Sequence, residues 1–406
     1  MAKHVIIGNG VAGVTAAQAI ARADPSAQVH ILGDEPRLYY RRPMLWQFIA
    51  GEVDEQALYF RPQSWYESQG IHVHLNARVT AIDRSAHRLS LADGSTLTFD
   101  RLLLATGGQP FVPPMVGSHK TGVYCLRTLE DAQAIKMRAA RAHSAIIIGG
   151  GLLGLETARS ILRPDLPVTV LEFMPHLLPR QLDAAGADVL QELLTRMGLQ
   201  IVTSAITDEI LGQESATGVR LKDGRTFRGE LIVISAGIRS RTELAEAAGL
   251  QVGRGIVVNQ YMQTSDADIF AAGDAAEFNG IVYGIIPAAM EQATVAAANM
   301  VAPNSKSYNG TIPSTTLKVV GINLTCLGNS NALGEGGFTI LNWADRKHGV
   351  FKKLVLHDGR VTGAILLGDN GDTRIVQRLI QEAIDISAYQ DALLQAQLDL
   401  KMLPLP

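Results

Sequence analysis

Two stretches carry residue types and spacings that could do chemistry. Residues 5–13 read V-I-I-G-N-G-V-A-G, and residues 146–154 read I-I-I-G-G-G-L-L-G. Each places glycines in the order G-x-G-x-x-G. The first glycine allows a tight turn, the second lets the backbone approach a pyrophosphate, and the third lets a helix lie close on a strand. These are Gly8, Gly10 and Gly13 in the first copy, and Gly149, Gly151 and Gly154 in the second. The pyrophosphate then faces a helix N-terminus, where free N–H groups and the helix dipole favour an anion.

A lone glycine turn of this kind is also found in any strand–turn–helix, so the acids that follow discriminate. A ribose-binding Asp or Glu is expected about 20 residues on, at the end of the next strand. V-H-I-L-G-D-E supplies Asp34 and Glu35, and V-T-V-L-E supplies Glu172. Two such sites in one chain imply two dinucleotides with electrons moving between them. Glu172 is followed by Phe173 and Met174, with no Arg or Lys to meet a 2′-phosphate, which favours NADH over NADPH.

The elements that position these loops repeat. Apolar runs before each loop read as buried strands, and alanine- and leucine-rich stretches after them as helices. Asp93-Gly94, Asp223-Gly224 and Asp358-Gly359 are flanked by strand-like runs and read as hairpin turns. Residues 87–104 resemble residues 217–234, so the repeat extends past the glycine loops. Each copy closes on a strand and a glycine turn, L-L-L-A-T-G-G with Thr106 and Gly107, then I-V-I-S-A-G-I with Gly237. A proline-rich crossing at Pro110 to Pro114 marks a boundary. D-I-F-A-A-G-D ends a short strand at Gly273 and Asp274, and a helix is expected from about Pro287 to Met300. Beyond Tyr308, strands 350–356 and 361–367 precede a helix with apolar pairs at 375/376, 379/380 and 383/384. The apolar tail reads as a second packed helix, with a subunit contact as the lesser alternative.

Composition bounds the rest. The 406 residues suffice for two or three domains, and 47% hydrophobic content fills conventional cores. A net charge of −3 argues against nucleic acid as a partner. Cys125 and Cys326 are too far apart in sequence for a C-x-x-C pair, and too few for a cysteine-rich metal site, so no metal is expected. Low cysteine usage fits the cytoplasm, Met1 leads directly into the first strand, and no run is long enough for a membrane span.

With these segments in hand, the chain resembles the two-dinucleotide flavoprotein reductases of the glutathione-reductase fold. It looks closest to the branch of NADH:rubredoxin reductases and the flavin part of the nitrite reductase large subunit. A-G-I-R-S-R-T-E-L-A-E-A-A-G-L (236–250), T-S-D-A-D-I-F-A-A-G-D (264–274), T-L-K-V-V-G-I-N-L (316–324) and T-G-A-I-L-L-G-D (362–369) carry the likeness. The resemblance implies an α/β fold of two Rossmann-like domains with three-stranded β insertions and a smaller α+β C-terminal domain. Residues 1–112 and 240–306 would bind FAD, 113–239 would bind NAD(H), and 307–406 would form the third domain.

It also implies roles. Gly8, Gly10, Gly13 and Glu35 would hold the FAD pyrophosphate and ribose, with Val79 presenting its backbone to the adenine. Arg42 and Pro43 would lie along the flavin, Asp274 would bind the ribityl chain, and the helix opening at Ile286 and Pro287 would aim its N-terminus at the flavin N1/O2 edge. The FAD would be tightly but non-covalently held. Where relatives read R-P-x-L-S-K this chain has R-P-M-L-W-Q, with Trp46 and Gln47. In relatives that Lys pairs with the Glu of G-L-E, which is Glu156 here. Glu156 therefore either loses its cation, with a raised pKa or a borrowed Arg41 or Arg42, or hydrogen-bonds Gln47. Either way Glu156, Gln47 and Arg42 are the candidate tuning residues. No cysteine lies between 42 and 47, so electrons should leave straight from the flavin rather than through a disulfide.

The expected activity is hydride transfer from NADH to FAD, then electron delivery to a small carrier such as an acidic rubredoxin or ferredoxin, by a monomer or homodimer. Direct use of oxygen as an NADH oxidase, or a slow-turnover flavin-binding interaction protein, are the alternatives. Arg346, Lys347, His348, Lys352 and Lys353 form a basic run. It reads chiefly as a solvated loop and strand edge, and secondarily as a face for docking the carrier.

Overall fold

The computed structural model describes residues 1–311, 314–332 and 336–404, with 314–319 as backbone only. The chain divides into two compact units. The first comprises residues 1–45, 53–111 and 238–311, and the second comprises 46–52, 112–237 and 312–406.

In the first unit the apolar run Lys3–Ile7 is the middle strand of a five-stranded parallel sheet. Its neighbours in order are Ile269–Ala271 and Arg101–Leu104 on one side, and Gln28–Leu32 and Ile71–His74 on the other. Strands buried on both faces read as continuous apolar runs, and Val5, Ile6, Leu102, Leu103, Leu104 and Phe270 are core residues. Helices Val11–Ala23 and Ile286–Val301 pack against each other, and their small residues Ala12, Ala16, Ala289, Ala293 and Ala296 are buried. A three-stranded antiparallel insertion, Val79–Asp83, Arg88–Leu91 and Thr96–Thr98, turns at Asp93-Gly94 with Gly94 at φ +85°.

The second unit repeats the plan. Its parallel sheet runs Gln200–Val202, Val168–Leu171, Ala145–Ile148, Leu231–Ile234 and Val123–Cys125. Its insertion is Thr207–Leu211, Gly218–Leu221 and Thr226–Arg228, turning at Asp223-Gly224. The same unit also contains an antiparallel sheet in the order Ser314–Val319, Ile322–Gly328, Arg360–Leu367, Val350–His357 and Phe338–Asp345. Asp358 and Gly359 both have positive φ, +49° and +75°, as a two-residue hairpin loop requires.

Three expectations change. The helix Thr373–Gln381 stops before the 383/384 pair, because Ala383 turns left-handed at φ +48° and the Ile384 amide caps the Leu379 carbonyl at 3.2 Å. The tail is not one helix: Gln390–Gln395 is followed by positive φ at Gln397 and Leu398, then a short turn at Leu400–Met402. Its Leu393, Leu398, Leu400 and Leu403 join Val376 and Leu379 in the core beside the antiparallel sheet, so the tail's apolar residues serve this unit's own interior. The basic run divides: Arg346, Lys347 and His348 form the expected solvated loop, but Lys352 and Lys353 lie on neither a strand edge nor a free face. Val350–His357 is an inner strand, Lys353 is 2% exposed and paired with Asp183 at 2.8 Å, and Lys352 is buried against Asp372 at 2.6 Å.

Candidate functional site

The two glycine loops have the same geometry for the same reason. A Cβ at Gly8 would lie 2.0 Å from the Ala105 carbonyl oxygen, and one at Gly13 would lie 1.9 Å from the Gly8 carbonyl oxygen. Gly149 and Gly154 repeat this at 2.2 Å from the Ser235 carbonyl and 2.1 Å from the Gly149 carbonyl. These four glycines permit the close approach of strand, turn and helix. The middle glycines differ: a Cβ at Gly10 or Gly151 would meet nothing within 4 Å. Each middle glycine is the N-cap of its helix, Val11–Ala23 or Leu152–Ile161, and no side chain caps either helix. Open space over an uncapped N-terminus is what a pyrophosphate needs. Both loops fit a dinucleotide on this ground.

The acids are placed differently in the two units. Glu35 accepts from the Tyr40 hydroxyl at 2.6 Å and pairs with Arg42, while Asp34 is within 3.4 Å of Arg241 Nη1. Glu172 is 6% exposed and turns back on its own loop, accepting from the Gly150 and Met174 backbone N–H groups. Phe173 beside it is 64% exposed.

The chain crossing is held within the first unit. Thr106 Oγ1 donates to the Arg241 carbonyl at 2.8 Å, and the Gly107 carbonyl, at a residue with φ +71°, accepts from the Arg241 N–H at 2.9 Å. Gly237 turns at φ +106°. Gly273, at φ +79°, donates its N–H to Gln292 Oε1 at 2.9 Å, and the Asp274 carbonyl accepts from Ser240 Oγ at 2.6 Å. The helix Ile286–Val301 starts with Pro287 in its first turn, has no side-chain cap, and exposes Ile286 and Pro287. Val79 opens the insertion's first strand, at an irregular step in the pairing with Leu91. Arg42 and Pro43 form a short turn, Arg42–Met44.

Sequence reasoning missed Gln292, Ser240 and Arg241. Gln292 had a signal, being a lone amide within the alanine-rich stripe of a buried helix.

Glu156 is 8% exposed on the helix Leu152–Ile161. Its Oε1 accepts from the Val320 N–H at 3.1 Å, and its Oε2 has no hydrogen-bond partner among the described residues. Among the described residues it makes no ion pair and no bond to Gln47. Burial pushes its pKa up to about 7 and nearby Glu52 pushes the same way, against the Val320 N–H and Arg159. The direction of this shift is the one expected of a buried carboxyl that lacks a cation, and no Gln47 hydrogen bond to it is present among the described residues.

Two parallel sheets, each with a glycine loop opening an uncapped helix and an acid just past the end of the adjacent strand, define a two-dinucleotide oxidoreductase scaffold. Residues 2–299 match the pyridine nucleotide-disulphide oxidoreductase family, and residues 313–384 match the rubredoxin NAD+ reductase C-terminal domain. The chain belongs to this family. It is 36% identical to the nitrite reductase [NAD(P)H] of Bacillus subtilis (strain 168), over 94% of this chain and 48% of that one. The putidaredoxin reductase of a covalent putidaredoxin reductase–putidaredoxin complex superposes with a TM-score of 0.87 at 28% identity, over 98% of this chain and 97% of that one. The NADH:rubredoxin oxidoreductase from Clostridium acetobutylicum superposes with a TM-score of 0.80 at 27% identity, over 97% and 99%. The chain spans about half the length of the first curated relatives it matches.

Proposed function

We propose that this protein is an FAD-dependent NADH:acceptor oxidoreductase acting without a redox disulfide and delivering electrons to a small protein carrier. The observation that carries the reading is the pair of uncapped helix N-termini with open space at Gly10 and Gly151. The overall change is NADH plus two oxidised one-electron carriers giving NAD+, one proton and two reduced carriers. When bound, FAD would supply the redox chemistry, acceptance of a hydride at N5 and release of single electrons.

The chain's own residues bind and orient. Gly8, Gly10 and Gly13 would admit the FAD pyrophosphate to the helix Val11–Ala23, with Asp34 and Glu35 at its ribose side and Arg42 along the flavin. Val79, Pro43, Thr106, Gly107, Gly273 and Asp274 would line the rest of the flavin nucleotide. The helix opening at Ile286 and Pro287 would offer its positive end to the reduced flavin. Gly149, Gly151, Gly154 and Glu172 would hold NADH, with Gly237 at the turn that closes this unit. Glu156 would hold a proton at Oε2 near neutrality, in a site where Gln47 brings no charge. Residues 1–112 with 240–306, 113–239, and 307–406 would be the FAD, NAD and third domains. Two free thiols, Cys125 and Cys326, fit a reducing cytoplasmic setting.

The preference for NADH rests on Glu172, whose carboxylate would repel a 2′-phosphate, and on apolar Phe173 and Met174 beside it. Anaerobic mixing of the yellow holoprotein with NADH or NADPH tests the proposal. Fast bleaching by NADH and slow bleaching by NADPH is expected. A colourless protein that takes up no FAD overturns the function, and faster bleaching by NADPH overturns the specificity. Comparing oxygen, rubredoxin and ferredoxin as acceptors separates a carrier reductase from an oxidase.

A further inference from the structure

The structure leaves two arginines of the first unit without an acidic partner, on one aromatic platform. Tyr39 and Phe60 have ring centroids 5.6 Å apart, Phe60 and Trp65 6.1 Å, and Trp65 and Tyr66 5.0 Å. The Arg61 guanidinium stands 4.9 Å from the Phe60 centroid and 5.8 Å from that of Trp65. The Arg41 guanidinium stands 5.8 Å from the same Phe60 ring and otherwise only reaches the Ala57 carbonyl, at 3.4 Å. Among the described residues, neither arginine has a carboxylate within ion-pair reach.

The acids of the same stretch are already engaged. Glu35 is held by Tyr40 and Arg42, Glu55 by Arg37 and Tyr59, Asp54 by the Ala57 N–H, and Glu67 by the Gln63 amide. Arg61 is exposed, and the exposed residues after it, Pro62, Gln63 and Ser64, are uncharged. Two like charges sharing one ring repel each other, and the rings hold them in place rather than neutralise them. A preordered pair of guanidiniums framed by Trp and Tyr is the composition of an interface hot spot, and its charge selects a carboxylate-rich surface.

We infer that the face carrying Arg41 and Arg61 is the docking surface for an acidic protein electron carrier. Arg41 directly precedes Arg42, whose guanidinium pairs with Glu35, so along the chain the face adjoins the acid that follows the first glycine loop. The basic run at 346–353 leaves an exposed loop at 346–348 with no aromatic ring stacked under its cations among the described residues. Its Lys352 and Lys353 are buried in ion pairs, and Arg346 is engaged with Glu192. This inference rests on the proposed reductase function and identifies the partner it would serve.

The test uses flavin-loaded protein, with rubredoxin and a [2Fe–2S] ferredoxin as probes. Arg61→Glu should leave anaerobic bleaching by NADH unchanged, while raising the KM for the better carrier about tenfold and flattening the fall of its rate with salt. Arg41→Gln should do the same more weakly, and Arg61→Ala serves if the reversal disturbs folding. Unchanged carrier KM and salt dependence with normal bleaching overturn the docking face and leave the reductase reading standing. Absence of bleaching in the wild-type protein overturns the reductase reading itself. Normal bleaching with neither carrier reduced overturns the partner class. A wild-type dimer that Arg61→Glu converts to monomer reassigns the face to a second copy of the chain.

Discussion

The Val320 backbone N–H donates to Glu156 Oε1 at 3.1 Å, and Val320 does so from left-handed backbone at φ +56°. A β-branched residue rarely adopts that conformation. Here Val320 and Gly321, both at positive φ, turn the chain between Ser314–Val319 and Ile322–Gly328. A neutral backbone donor is thus the hydrogen-bond partner of this carboxylate among the described residues.

Stability should therefore depend on pH through Glu156. Its folded pKa of about 7 lies above the ordinary 4.5. The stability linked to it is complete below about pH 4.5 and is lost as pH rises through about 7. Glu156→Gln should gain on the wild type by on the order of 2 kcal/mol between pH 5 and pH 8.5. Denaturation at the two pH values checks this, and a constant difference between the proteins would show that burial is not raising the carboxyl.

Glycine substitutions should separate folding from nucleotide binding. Gly10→Ala and Gly151→Ala meet open space in extended backbone, so the melting temperature should hold while flavin retention falls for the first and NADH affinity for the second. Gly8→Ala and Gly13→Ala force a Cβ into backbone carbonyls and should cost several kcal/mol, about the range for overpacking combined with backbone strain. Thermal melts with flavin absorbance measure both.

Acid should loosen the edge of the first sheet. His30 and His74 sit on adjacent strands with Nδ1 and Nε2 3.0 Å apart. Burial, then repulsion from His74, His72 and Lys3, pulls His30 down to about 4, and His74 is lowered as well. Both shifts are downward from the unfolded 6.5, so the stability linked to His30 is present above about pH 6.5 and is lost as pH falls through about 4. His30→Gln should move the midpoint of an acid titration, followed by circular dichroism, to lower pH. No movement would count against this pair as the acid-sensitive element.

The Lys353–Asp183 pair should be costly to break from one side. Asp183 also caps the helix Ala184–Arg196 through the Gly186 N–H at 3.0 Å. Lys353→Ala leaves that carboxylate without its buried cation and should cost about 3 kcal/mol. Lys353→Met with Asp183→Asn should recover most of the loss, because Asn still caps a helix. Chemical denaturation of the single and double variants gives the comparison.

Both glycine loops, their acids, the three Asp-Gly turns and the repeated insertions were legible in the sequence. Each is a local matter of turn geometry and strand alternation, decided within a few residues. Helix ends near 383 and in the tail were less so, since an apolar period continues across left-handed residues that no composition marks. Gln292, Ser240 and Arg241 were invisible as partners because their contacts join segments 19 to 135 residues apart.

By itself the amino-acid order determined the scaffold and the places where a pyrophosphate can approach, because glycine and proline set backbone options wherever they occur. Only the tertiary structure decided which charges are spent. Lys352 and Lys353 look like surface residues in a run of letters and are buried in ion pairs, while Arg41 and Arg61 stand unpaired. Glu156 kept its position in the motif but took its raised proton affinity from burial and nearby Glu52, against the Val320 N–H. Charge state follows from solvent access and from partners distant along the chain, and neither exists until the chain is folded.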